Sequence, residues 1–363
     1  MRMLTKATVL TAVAASALLS VSGVAMADPQ SGGTAVVPAV TDVVGVGSDT
    51  TEFPLDQLMI DYNSSHSTGA KLYSWNATNP TTGAVGDSIV TKSGAAAIAR
   101  PNGSSAGITA LDNNVKTNGT NYDIDFARSS RGRQSTDPAK AAGGIQFVAM
   151  GKDAVTYATQ STTNVPTNLT TAQLASIYNC TQTTWPSIKP FLPQTGSGTR
   201  AFFLTAIGVT TPGSCVSSTV QENNGTQTGL NDPWAIVPYS VSKYIAEADH
   251  SAACGSTPTG TQNQFGCDNH GTMVLQSVNG IAPTTTTTPR TINTSFAATS
   301  YGRLVYNVAR YDSGTTDHIP ANLEPFFATA TAGTPGWICS NATAKTDLTN
   351  YGLLLSPLCG TTS

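Results

Sequence analysis

Short loops of glycine, serine and threonine precede predicted helices at several places in the sequence. The first loop runs from Ser48 to Thr51, after a predicted strand at 39–46, and Pro54 then suits the first turn of a helix. A helix N-terminus exposes unpaired N–H groups and about half a positive charge. Hydroxyl side chains in such a loop add further donors, so this arrangement can bind an anion without a cationic side chain.

The same arrangement recurs further along the chain. Predicted helices at 95–100 and 200–207 each follow such a loop, and a fourth polar cluster closes a predicted strand at 122–127. The residues concerned are Ser93 and Gly94, then Arg128, Ser129 and Ser130, and finally Ser197, Gly198 and Thr199. If these loops converge, neutral donors would surround a tetrahedral oxyanion. For each loop taken alone, simple N-capping is the alternative, because serine and threonine are favoured caps.

The composition excludes several classes of protein. The chain has 363 residues, of which 11% are charged and 39% are apolar, and its net charge is −3. Soluble domains usually carry about 25% charged residues. This chain carries fewer than half as many, so a coiled coil rich in Glu and Lys is excluded. A nucleic-acid-binding face is excluded by the absence of a basic excess, and the ordinary apolar fraction argues against disorder. The length and the mixture of strands and helices predict an α/β chain of two domains.

Residues 1–27 have the pattern of a secretory signal peptide. Arg2 and Lys6 make the first six residues basic, and an apolar run follows at 7–24. Ala25-Met26-Ala27 is a small-x-small cleavage pattern. A membrane anchor is the alternative, but no second apolar span of membrane length follows. No cysteine stands near the cut, so we expect a secreted chain without a lipid anchor. Cleavage would lower the net charge from −3 to −5.

The even number of cysteines fits an exported protein. Export to an oxidising compartment favours disulfides, and nearest-neighbour closure is the simplest of the 15 pairings that six cysteines allow. The predicted bonds are Cys180–Cys215, Cys254–Cys267 and Cys339–Cys359. A metal site is the alternative, but the sequence has no CxxC pair and its histidines are scattered.

No catalytic motif is present. Gly196-Ser197-Gly198 lacks the spacing of a nucleophile elbow, and neither His250 nor His318 has a motif around it. The sequence therefore predicts neither an enzyme nor a cofactor.

The loops in their order along the chain resemble those of the secreted phosphate-binding proteins of bacterial phosphate ABC transporters. The matching stretches are Gly45–Thr51, Ser93–Gly94, Asp125–Ser130 and Gly196–Thr199. The resemblance implies a two-lobed, type II periplasmic-binding-protein-like α/β fold with ligand in a cleft between lobes joined by two crossing strands. It places lobe one at 36–145 plus 290–363 and lobe two at 146–289, with residues 28–35 as a flexible leader.

The resemblance also implies a ligand set. Ser48, Thr50 or Thr51, Ser93, Ser197, Gly198 and Thr199 would act as donors to phosphate or a similar oxyanion. The chain departs from the family at Ser130, where the family has Asp, and at Pro193, where it has Arg. Asp49 can supply the lost carboxylate or serve only as a turn residue, and Arg128, Arg131 or Arg200 can supply the lost guanidinium.

Two functions follow as expectations. The first is a monomeric, secreted phosphate-binding protein that takes no nucleic acid and delivers its ligand to an ABC permease or scavenges it. The second is a degenerate relative that has lost the ligand and acts as a secreted or cell-wall interaction protein.

Overall fold

The structure is a computed structural model that describes residues 28–31, 34–80, 82–113, 115–250, 252–253, 267–327 and 335–363. The predicted signal peptide lies outside the described residues. Within them, no helix combines the length and the apolar character that a membrane crossing requires.

One curled sheet of nine strands forms the framework of the described part of the chain. Its strands are β1 (Val43–Gly47), β2 (Leu72–Ser74), β3 (Phe126–Ser129), β4 (Ile145–Gln160), β5 (Lys189–Pro193), β6 (Ser217–Val220), β7 (Ala235–Ser240), β8 (Met273–Leu275) and β9 (Gly302–Arg310). Shorter strand pairs lie outside this sheet, at Gln30–Ser31, Thr34–Ala35, Ser88–Ile89, Ile98–Ala99, Asn168–Leu169, Ala252–Ala253, Cys267–Asp268 and Ser277–Val278.

Helices connect the strands. They are α1 (Glu52–Ser65), α2 (Ser104–Asp112), α3 (Thr171–Tyr178), α4 (Gly198–Ala206), α5 (Val241–His250), α6 (Thr294–Ala297), α7 (Glu324–Phe327), α8 (Trp337–Ser340) and α9 (Ala342–Asn350). A single 3₁₀ turn at Asp49–Thr51 leads directly into α1.

The strands of this sheet lie in the order β6-β5-β7-β4-β9-β3-β1-β2, and β8 also pairs with β4. The two long strands β4 and β9 join the two ends of the sheet. The antiparallel pair β4–β9 is central, and β4 continues from its contact with β9 into a contact with β7. Fifteen of the sixteen β4 residues are buried, as expected for a strand covered on both faces. The strand-like patterns at 145–150 and 153–158 in the sequence form one continuous strand in the structure.

Separate apolar cores lie at the two ends of the sheet. One side packs Leu55, Phe126 and Phe327, while the other packs Tyr178, Phe203 and Ile236. We name the side with β1, β2 and β3 the first lobe, and the side with β5, β6 and β7 the second lobe. This confirms the predicted two-lobed α/β class, whereas the predicted lobe boundaries at 145/146 and 289/290 stay a prediction.

The helix predicted at 95–100 is wrong. Its end forms the short strand Ile98–Ala99, which pairs with Ser88–Ile89. Pro101 disfavours helical backbone at the residue before it. The side chain of Arg100 instead forms ion pairs with Asp28 and Asp87.

Two of the predicted disulfides are confirmed. Cys180 and Cys215 are bonded with their Cα atoms 5.9 Å apart, and Cys339 and Cys359 are bonded at 5.7 Å. The third predicted bond involves Cys254, which lies outside the described residues.

Candidate functional site

Buried hydroxyl groups from both lobes meet at the ends of β1 and β3. Ser48, directly after β1, donates from Oγ to Ser130 Oγ at 3.1 Å. Ser104 of α2 lies 3.3 Å from the same Ser130 oxygen and accepts from the Ser130 backbone N–H at 3.0 Å. Across the cleft, Thr50 Oγ1 lies 3.4 Å from Thr199 Oγ1 in the first turn of α4. We call these five residues the hydroxyl cluster.

The carboxylate of Glu222 lies among these hydroxyls. Its Oε1 accepts from Thr50 Oγ1 at 3.1 Å, from Ser130 Oγ at 3.4 Å and from the Thr199 backbone N–H at 3.1 Å. Its Oε2 is buried and has no hydrogen-bond partner in the described part of the chain. Burial raises the pKa of Glu222, and the nearby charge of Asp49 raises it further.

Glycine allows the two lobes to touch here. A Cβ atom at Gly198 would lie 2.3 Å from the hydroxyl oxygens of both Ser104 and Ser130. At Gly103, which has φ +98°, a Cβ would lie 2.8 Å from the carbonyl oxygen of Gly196. The Ser105 N–H also donates to Gly196 O at 3.0 Å. The cleft is therefore closed at the hydroxyl cluster, and any larger residue at Gly198 would force it apart.

One buried guanidinium reaches the cluster. Arg303 of β9 donates from Nη2 to Thr199 Oγ1 at 3.0 Å, and it pairs with its cross-strand neighbour Asp153 at 2.8 Å. Arg303 Nη1 is buried and lacks a hydrogen-bond partner among the residues described. Arg303 therefore brings positive charge and an unused donor to the edge of the site.

A second group of side chains, one amide and three charged, flanks the cluster. Asn223 donates from Nδ2 to Asp49 Oδ1 at 2.7 Å and to Thr50 Oγ1 at 3.2 Å. Lys243 of α5 lies 3.4 Å from Glu52 Oε1 and 3.9 Å from Asp49 Oδ2. Burial raises the pKa of Asp49 to about 6, and the charge of Lys243 opposes that rise. These contacts join the second lobe to the start of α1 beside the site.

The structure brings only part of the predicted ligand set together. Ser48, Thr50, Ser130 and Thr199 belong to the hydroxyl cluster, and Gly198 lies against it. Ser197 caps α4 by accepting from the Arg200 N–H at 3.0 Å, so the capping alternative describes this residue. Thr51 is buried beside the cluster, with no hydrogen-bond partner for its Oγ1 in the described residues.

Other predicted residues lie elsewhere. Ser93 and Gly94 are exposed on the surface, and the helix predicted after them does not form. Arg128 is fully buried, but it donates to backbone oxygens of Gly47, Ser48 and Trp75 and thus supports the first loop from behind. Ser129 bonds within its own turn to Arg131.

The two other candidate guanidiniums also point away. Arg131 pairs with Asp137 at 2.7 Å, and Arg200 donates to Pro193 O at 2.9 Å and to Ser218 Oγ at 2.8 Å. Among the described residues, the guanidinium that donates to a hydroxyl of the cluster is that of Arg303.

Sequence reasoning missed Ser104, Glu222, Asn223 and Arg303. Gly103-Ser104 stands at the start of α2, so the pattern of glycine and serine at a helix N-terminus was present at that position as well. Glu222 and Asn223 stand in a polar stretch without any motif, and Arg303 lies inside a strand. Only the fold reveals that these three side chains meet at one place.

The fold and the site together define a two-lobed α/β binding protein with a polar cleft between its lobes. The model of the PBP superfamily domain matches residues 33–335, and the chain belongs to that superfamily. Phosphate-binding proteins of this family bind their substrate without catalysis, and the family is extracytoplasmic. No curated protein matches the sequence.

Solved structures show the same architecture. An ABC-type phosphate transport receptor from Vibrio cholerae aligns with a TM-score of 0.51 at 16% identity, over 87% of this chain and 100% of that one. A putative phosphate ABC transporter substrate-binding protein with bound phosphate, from Clostridium perfringens, aligns with a TM-score of 0.54 at 13% identity, over 87% and 99% of the two chains. At these identities the likeness establishes the fold.

Proposed function

We propose that this chain is an exported solute-binding protein that holds a tetrahedral oxyanion, phosphate first among them, at the hydroxyl cluster. One observation carries the proposal. Three donors from three separate segments, on Thr50, Ser130 and Thr199, converge on a single carboxylate oxygen of Glu222. A site that surrounds one anionic oxygen with buried neutral donors has the chemistry that an oxyanion requires.

The remaining donors extend that chemistry. Ser48 and Ser104 lie one hydrogen bond behind Ser130, and the free Nη1 of Arg303 lies at the edge of the cluster. Guanidinium groups bind oxyanions through paired N–H donors. The titles of the two structural neighbours name phosphate transport, and this supports phosphate as the first ligand to test.

Export and delivery belong to the same proposal. Residues 1–27 would direct secretion and be removed, leaving no lipid anchor, and a monomer would pass its ligand to an ABC permease. The neighbours' titles, which name ABC transporters, support the permease as partner.

Thermal unfolding with added anions tests the ligand. Phosphate should raise the Tm of the wild-type protein, and the rise should grow with concentration. Thr199→Val keeps the branched shape but removes the hydroxyl that Arg303 and Thr50 contact, so it should weaken phosphate binding roughly tenfold or more. Thr205→Val is the matched control, because Thr205 lies on the same helix α4 and its exposed hydroxyl bonds only to Ala201 O. Absence of any shift with phosphate, sulfate or arsenate, in the wild type and in Glu222→Ala alike, would refute the proposal.

One observation favours a second candidate, a relative that has kept the fold and lost the ligand. The Glu222 carboxylate takes up the same donors that an oxyanion would use. Such a chain would act as a secreted or cell-wall interaction protein. It would show no anion-dependent rise in Tm even at saturating phosphate, whereas the solute-binding protein would.

A further inference from the structure

Glu222 is held in a position that a flexible surface glutamate would not keep. Its backbone N–H donates to Gln194 Oε1 at 2.9 Å, and the preceding Gln221 accepts from Asn102 Nδ2 at 2.8 Å across the cleft. Glu222 is 3% exposed. Its carboxylate is therefore part of the closed site rather than a group that strays into it.

The residue after Glu222 fixes the turn. Asn223 has φ +50°, in the left-handed region that residues other than glycine seldom adopt. Its side chain accepts from the Ser240 N–H at 3.0 Å, and its carbonyl accepts from the Tyr239 hydroxyl at 2.7 Å. Asparagine adopts this region more readily than most residues, and these two hydrogen bonds hold the turn that directs Glu222 into the cluster.

We infer that Glu222 is an internal ligand of the anion position, so that a dissolved anion binds there only by taking the place of its carboxylate. The inference rests on the proposed function and deepens it. The Thr199 N–H in the first turn of α4, where the helix dipole favours an anion, is already bound to Glu222 Oε1. A second anion brought to that N–H would be repelled by the buried carboxylate and would find its donors occupied.

This arrangement determines which anions can enter. The carboxylate uses one oxygen for Thr50, Ser130 and Thr199, and its other oxygen finds no hydrogen-bond partner in the described residues. A tetrahedral oxyanion has four oxygens and can engage those donors together with the unused Nη1 of Arg303. A simple carboxylate gains nothing that Glu222 does not already provide, so it should not bind the wild-type protein.

The apparent affinity of the wild-type protein is reduced by the fraction of molecules in which Glu222 has left the site. Removing its carboxylate should therefore improve anion binding. Glu222→Ala deletes a CH₂–COO⁻ unit, which has the size and charge of acetate. Glu324→Ala is the control, because Glu324 is a partly exposed glutamate at the start of α7.

The experiment measures Tm and binding heats with acetate and with inorganic phosphate. Acetate should stabilise Glu222→Ala saturably and leave the wild type and Glu324→Ala unchanged. Phosphate should bind Glu222→Ala at least ~10-fold more tightly than the wild type, since most wild-type molecules hold Glu222 in the site. If acetate stabilises Glu222→Ala and neither protein binds phosphate, the internal ligand stands and the oxyanion function fails.

Two results would overturn the inference. One is stabilisation of Glu222→Ala by acetate and phosphate no greater than that of Glu324→Ala. The other is tighter phosphate binding by the wild type than by Glu222→Ala, which would make Glu222 a partner of the bound phosphate. Should the alanine variant not fold, Glu222→Gln keeps the size and removes the charge. Its phosphate affinity should exceed that of the wild type, and a lower affinity again overturns the inference.

Discussion

Asp153 and Glu222 are both buried carboxylates near the cleft, but their partners differ. Asp153 is fully buried, and both of its oxygens are bonded: Oδ1 to the Ser242 N–H, and Oδ2 to Ser240 Oγ and to the Arg303 guanidinium. Glu222 has three neutral donors on one oxygen, whereas its other oxygen lacks a hydrogen-bond partner in the described residues.

This difference separates a structural carboxylate from an exchangeable one. Asp153 neutralises Arg303 and holds it where Nη2 reaches Thr199, so the ion pair positions the site without occupying it. Glu222 is bound by the hydroxyls and N–H that an oxyanion would use, and its donors within the described part of the chain are all neutral. Loss of Asp153 would leave a buried positive charge without its counter-ion, while loss of Glu222 would leave neutral donors that a dissolved anion can satisfy.

Asp153→Asn should have the largest effect. It breaks a buried ion pair and leaves Arg303 uncompensated, which typically costs about 3–5 kcal/mol of stability. Urea denaturation measures the free energy of unfolding, and Asp112→Asn, at an exposed position on α2, is the control. A loss no larger than that of the control would show that Arg303 is not held by Asp153.

Glu222→Gln should change stability much less. The amide keeps an oxygen that can accept from the same donors, and it removes a buried charge that has no directly bonded cation, so we expect a change below about 1 kcal/mol. The same urea titration compares it with Asp153→Asn. A loss equal to that of Asp153→Asn would make Glu222 a structural carboxylate and remove the contrast.

A third buried carboxyl, that of Asp347, gives stability a pH dependence. Burial, together with the neighbouring Asp61, raises the pKa of Asp347 on α9 to about 7. The folded protein therefore binds more protons than the unfolded chain between the ordinary value of 3.8 and about 7, so the contribution of Asp347 to stability falls as pH rises through that window. Asp347→Asn should remove this dependence, and its Tm difference from the wild type should change between pH 5 and pH 8. A Tm difference that stays constant between pH 5 and pH 8 would contradict the raised pKa of Asp347 beside Asp61.

Local pattern predicted much of the fold. Pro54 after the first polar loop predicted α1, and the polar loop before 200–207 predicted α4, which Ser197 caps. The helix predicted at 95–100 was wrong because alanine-rich sequence has helical propensity wherever it stands, and only Pro101 and the ion pairs of Arg100 decide against it.

The candidate site was predicted only in part, again because a sequence shows local patterns and not distant contacts. Loops at helix N-termini can be recognised locally, so Ser48, Thr50 and Thr199 were found. Glu222 and Arg303 come from a loop and a strand far from those helices in sequence, and no local signal marks them. The resemblance implied an aspartate where this chain has Ser130, and the carboxylate that contacts Ser130 Oγ in the structure is that of Glu222 from the second lobe.

A crystal structure of the protein grown with phosphate tests the central claim most directly. Our account predicts an anion with one oxygen bonded to the Thr199 N–H and to Ser130 Oγ, another near Arg303 Nη1, and the Glu222 side chain displaced from the cluster. A structure at saturating phosphate in which Glu222 Oε1 still accepts from the Thr199 N–H, with no anion in the cleft, would contradict it.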